Sequence, residues 1–119
     1  MPVSLKSVYL APEQGDGLRI LVDRLWPRGI SRDRLKIDAW LQELAPSNEL
    51  RQWFGHDPEK WEEFRRRYFI ELTAQEAAVT ELIEKIGDTR ATLVFAARDH
   101  QHNNAVALRD FLEKQLASR

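Results

Sequence analysis

"LRILVDRLWPRGI", residues 18–30, changes character within a few positions. Leu18, Ile20, Leu21 and Val22 make a short branched run, the composition of a central strand covered on both faces. Asp23, Arg24, Trp26 and Arg28 follow at once, and Pro27 and Gly29 break the chain direction. A strand over 18–25 that ends in an acid, arginines and an indole predicts one wall of a polar site.

Working outward, 3–10 (VSLKSVYL) alternates roughly and predicts a first strand, joined to the second by a proline- and glycine-bearing loop at 11–17. Residues 27–34 form a charged loop. Trp40, Leu41 and Leu44 then predict a helix over 37–44, ended by Pro46. Ser47 suits the N-cap of a helix carrying Leu50, Trp53 and Phe54, and Asp57-Pro58 opens another. That helix buries Trp61, Phe64, Tyr68 and Leu72. The run TAQE (73–76) fits a capping box for a helix that buries Val79, Leu82, Ile83 and Ile86 and stops at Gly87. A compact apolar strand, ATLVFAA (91–97), leads through RDHQHNN (98–104) into a last helix at 105–116.

Strand, strand, helices, strand, helix predicts an α/β fold: one domain over 1–119 with a small, mostly parallel central sheet flanked by helices. The short link between the first two strands leaves an antiparallel hairpin open as an alternative. In such sheets ligands collect beyond the carboxyl ends of the strands. Two polar ends are available, 23–29 and 98–104. They nominate Asp23 and His102 as acid–base groups, and Arg24, Trp26, Arg28, Asp99, Asn103 and Asn104 as ligand-binding residues.

Composition narrows the function. The chain has 119 residues, 43% hydrophobic and 31% charged, with a formal net charge of −1, which argues against holding nucleic acid by bulk charge. It has no cysteine, so disulfides, thiolate metal sites and cysteine nucleophiles are excluded. No membrane span or signal layout is present, and a cytoplasmic location is the expectation. His100 and His102 are spaced H-x-H, but two histidines without a third ligand make a poor zinc set, so no metal is expected. No phosphate-loop or dinucleotide fingerprint occurs, and no cofactor is expected.

The stretches DGLRILVDRLWPRGISRDRL (16–35), DAWLQELAPSNELRQWFGHDPEKWEEFRRRY (38–68) and TLVFAARDHQHNNAVALRDFL (92–112) resemble the YeaO-like family, small bacterial proteins grouped as a domain of unknown function. The resemblance spans nearly the whole chain, with VDRLWPRG (22–29) and LAPSNELRQWFGHDP (44–58) its most specific runs. It implies a compact α/β domain with a small central sheet. A broader set of similar proteins carries Cys-His-Arg at the start of the last helix. The matching positions here are Asn103, Asn104 and Ala105, so chemistry through that thiol does not carry over.

Three functions fit these features. The leading one is a site for a small anionic or nucleotide-like ligand. As a hydrolase or transferase, it would use Asp23 or His102 as acid or base, the arginines as anion clamps and Asn104 as a donor. The second is a nucleic-acid-binding module using 19–36, where six basic residues face two acidic ones, with Arg65 to Arg67. Its opposing feature is the acidic stretch 71–88. The third is a protein-interaction domain that docks a partner through surface tryptophans.

Overall fold

Strand ATLVF has no polar side except Thr92, because it is paired on both edges and covered on both faces. In the computed structural model, which describes residues 3–117, this strand, Ala91–Phe95, is buried throughout. Four strands make the sheet: β1 (Val3–Ser7), β2 (Leu18–Leu21), β3 (Ala39–Trp40) and β4 (Ala91–Phe95). Their order is β1-β4-β2-β3 and every pair is parallel. The α/β expectation is met. The hairpin alternative is overturned, since β4 lies between β1 and β2.

Alternation along the strands builds two cores. Ile20, Val22, Leu93 and Phe95 face the larger one, closed by α2 (Asn48–Phe54), α3 (Trp61–Ala74), α4 (Glu76–Ile86) and α5 (Asn104–Ala117). Leu21, Val94 and Val8 face the smaller one, covered by the segment after β2 and its single-turn helix α1 (Arg32–Leu35). At the amino end of that face Arg19 is buried. Its guanidinium donates to Asp16 at 2.7 Å and to the Leu35 carbonyl at 2.8 Å, and Lys6 reaches the same carboxylate at 3.1 Å. A buried charge persists only with such partners.

Four local expectations are corrected. Residues 37–44 do not form a helix: β3 and a 3₁₀ turn at Gln42–Leu44 stand there instead. The open edge of β2 needs partners, and Asp38 and Leu41 donate their amides to the Arg19 and Leu21 carbonyls at 2.7 and 3.0 Å. The same pairing sends Trp40 to the smaller core and Leu41 and Leu44 to the larger. The capping box at 73–76 is absent. Thr73 lies inside α3 and donates to the Phe69 carbonyl at 2.8 Å, because Leu72 extends the buried stripe of Phe64 and Tyr68 past the expected start. The first strand ends at Ser7, leaving Tyr9 and Leu10 exposed, and the β2 ladder ends at Leu21, short of Leu25.

The capping residues behave as their chemistry requires. The Ser47 hydroxyl accepts from the Leu50 amide at 3.1 Å. Asp57 accepts from Glu59 at 3.0 Å, with Pro58 opening a 3₁₀ turn ahead of α3. Gly87, at φ 51°, closes α4.

Candidate functional site

The chain leaves β2 over one face of the sheet and leaves β4 over the other, because α1 packs on the smaller core and α5 on the larger. Neighbouring parallel strands whose connections part to opposite faces open a crevice at their carboxyl ends. Val22 still donates to the Val94 carbonyl at 3.3 Å, after which the strands separate. Asp23 bridges the gap, accepting from the Ala96 amide at 2.9 Å and from the Asn104 side-chain amide at 3.0 Å. That same Asn104 nitrogen donates to the Val22 carbonyl at 3.0 Å. Two strand ends and the first turn of α5 are thus tied at one carboxylate.

Burial raises the Asp23 pKa above its ordinary 3.8, opposed by the hydrogen bonds from Asn104 and Ala96 and by the charge of His56. The folded state therefore holds this proton more tightly than the unfolded chain. Stability linked to Asp23 is full below pH 3.8 and is lost as pH rises through the raised value. Asp23→Asn removes the ionisation. In urea unfolding across this range, the stability of the wild type relative to Asp23→Asn is expected to fall with rising pH. A relative stability that rises with pH would contradict the raised pKa.

Above this node lies a cavity of about 390 Å³, bordered by Asp23, Asn103 and Asn104 from the two loops and by Arg24, Trp26, Pro27 and Arg28 from the β2 exit. Tyr9, Leu25, Pro46, Arg51, Phe54, His56 and Phe64 complete its walls with Ala96 and Ala97. Arg28 and Arg51 are exposed, and neither makes an ion pair among the described residues. The Tyr9 hydroxyl donates to the Arg28 carbonyl at 3.3 Å, joining the loops after β1 and β2. His56 takes a left-handed φ of 59° directly after Gly55 at 54°. That conformation costs a non-glycine residue free energy and tends to persist at functional turns.

The nominated residues divide sharply. Asp23, Arg24, Trp26, Arg28, Asn103 and Asn104 border the cavity, whereas Asp99 and His102 do not. Asp99 accepts from the Gln101 and His102 amides and meets the His102 ring at 3.0 Å. Those bonds, the Gln101 amide foremost, hold its carboxyl below the ordinary range. His102 also sets its ring at a steep angle to Trp61, 5.4 Å between centroids. His100 packs on Phe95 instead, so the two histidines serve different rings. Among the described residues no three His, Cys, Asp or Glu side chains gather as a metal set.

Within the cavity wall several nominees are already engaged. Arg24 donates to the Pro46 and Ala45 carbonyls at 2.9 and 3.3 Å, pinning the segment that leads into α2. The Trp26 indole donates to the Ile30 carbonyl at 2.7 Å, and its ring meets Trp40 edge-on beneath the Arg32 guanidinium. Asn103 is buried as the cap of α5, accepting from the Val106 amide at 3.0 Å. Tyr9, Arg51 and His56 join the wall from outside the two polar loops. His56 had one sequence signal, its place between Gly55 and Asp57-Pro58, which also marks an ordinary turn.

The sequence profile of DUF488-N3i, described as the inactive DUF488-N3 subclade, matches residues 2–119. This chain belongs to that family. The DUF488-N3i chain is 40% identical over 112 residues to "Uncharacterized protein YeaO" of Escherichia coli K12, covering 94% of this chain and 97% of that one. It is likewise 40% identical over 110 residues to the Mycobacterium bovis protein Mb3100c and the Mycobacterium tuberculosis protein Rv3073c, covering 92% of both partners in each case. The YeaO-like resemblance is thereby borne out. No solved structure matches the chain significantly. Among the described residues no helix is long and apolar enough to cross a membrane.

Proposed function

We propose that this chain binds a small anionic ligand, nucleotide-like in size, in the cavity at the carboxyl ends of β2 and β4, and holds it without chemical turnover. The observation that carries the reading is the pair Arg28 and Arg51. Two exposed guanidinium groups without an internal carboxylate partner border one small cavity at a chain-reversal crevice. Its volume of about 390 Å³ lies in the range of small-molecule sites.

Binding is favoured over a hydrolase or transferase by what occupies the α5 entry. Asn103 stands where similar proteins carry a thiol, and its amide caps the helix. The cavity wall contains no cysteine, serine, threonine or lysine, and the family is described as inactive. Binding to nucleic acid through 19–36 is disfavoured because that stretch is not one surface. Arg19 is buried, Arg24 is tied to carbonyls, and Arg65 to Arg67 are neutralised by Asp110 and Glu63.

Thermal unfolding with inorganic phosphate, small carboxylates and nucleoside monophosphates tests the reading. A ligand at about 100 times its Kd adds roughly 2.7 kcal/mol, a Tm rise on the order of 10 °C for a domain this size. No rise with any of these anions, with oligonucleotides raising Tm instead, would overturn it in favour of the nucleic-acid reading.

A further inference from the structure

The cavity wall carries charge of both signs. Arg28 and Arg51 stand at the exposed rim, while Asp23 is held between the separating strand ends. Resting on the anion reading above, we propose that the ligand enters with a hydrogen-bond donor first. An amino-bearing planar ring lies against Asp23, and a single anionic group trails at Arg28 and Arg51. A nucleoside monophosphate with an exocyclic amine is the simplest molecule of this class.

The acceptor capacity at the inner end supports this orientation. A carboxylate offers about four lone-pair directions. Asp23 uses one on each oxygen, for Ala96 and for Asn104. Further directions are left for a ligand, and they suit an N–H donor and repel a second anion. The Asn104 amide nitrogen is consumed by Val22 and Asp23, leaving its oxygen as another acceptor on a residue that borders the cavity. An anion beside Asp23 would face these oxygens, with Arg24 spent on the Pro46 and Ala45 carbonyls and His56 the one other basic side chain in the wall; at the rim it meets the guanidinium groups of Arg28 and Arg51.

Pro27, Pro46, Phe54 and Phe64 supply apolar wall to the same cavity. Such walls give a flat apolar body a dry seat and contribute no competing polar group. The ring therefore supplies contact area, its amine supplies the inner hydrogen bond and the phosphate supplies the rim contacts. This division of roles makes each part of the ligand separately removable.

Calorimetric titration of the full chain with inorganic phosphate, AMP, and purine riboside 5′-monophosphate, which lacks only the amine, tests the orientation, with CMP against UMP as a second matched pair. At least one amino-bearing member is expected to bind about tenfold or more tighter than its partner, the value of a hydrogen bond to a charged group. Asp23→Asn is expected to bring that ratio near one, with its fold checked by circular dichroism. Equal binding within both pairs by the wild type, while phosphate still binds, overturns the orientation and leaves the anion reading standing. Binding of none of these compounds overturns both.

Discussion

Replacing Arg28 and Arg51 together by alanine is expected to weaken the binding of phosphate and nucleoside monophosphates by about 100-fold, with Tm in the absence of ligand unchanged. A charge-assisted hydrogen bond contributes roughly 1.5–3 kcal/mol, and taking the lower end for each exposed guanidinium gives about tenfold per residue. Both side chains are exposed and neither makes an internal ion pair among the described residues, so the folded state has little to lose. The single substitutions should each account for part of the loss, and added salt should weaken the wild type more than the double variant. A double variant that binds as tightly as the wild type would remove the arginines from the site. Arg24→Ala is a useful contrast: its guanidinium holds the Ala45 and Pro46 carbonyls, so it should lower stability as well as binding.

Gly17→Ala is expected to cost about 3 kcal/mol or more of folding stability, on the order of 10 °C in Tm. Gly17 has φ 66° and ψ −138°, which an L side chain rarely adopts. A Cβ there would lie 2.1 Å from the Arg90 carbonyl oxygen and 2.7 Å from its carbon. That carbonyl accepts the Leu18 amide at 2.9 Å and so sets β2 beside β4. Relief by movement would shift the strand that carries Asp23. Gly15→Ala is the control, because its nearest neighbour is the tip of the Arg90 side chain at 3.8 Å and its φ is not positive. Equal Tm values for the two variants would contradict the close approach.

The sequence located the two polar loops because composition changes abruptly where β2 and β4 end, and strand polarity then places both at one edge. Which residues of each loop enter the cavity was not legible. Asp99 and His102 are as polar as Asn103 and Asn104, yet a turn closed by the Asp99 carboxylate withholds the first pair while α5 presents the second. That choice depends on which backbone amides a side chain captures. Tyr9, Arg51 and His56 reach the cavity only through tertiary packing of turns and α2. Local spacing also misjudged 37–44, since Trp40, Leu41 and Leu44 fit one helical face as well as a strand serving two cores. The exposed edge of β2 decided between them, and an edge is visible only once the sheet exists.

Amide and guanidinium NMR during titration with inorganic phosphate tests the anion site most directly. The largest shifts are expected at the Arg28 and Arg51 guanidinium groups and at the amides beside them, both residues bordering the cavity. Shifts confined to the Arg65–Arg67 turn of α3, or none up to millimolar phosphate, would contradict an anion site at the ends of β2 and β4.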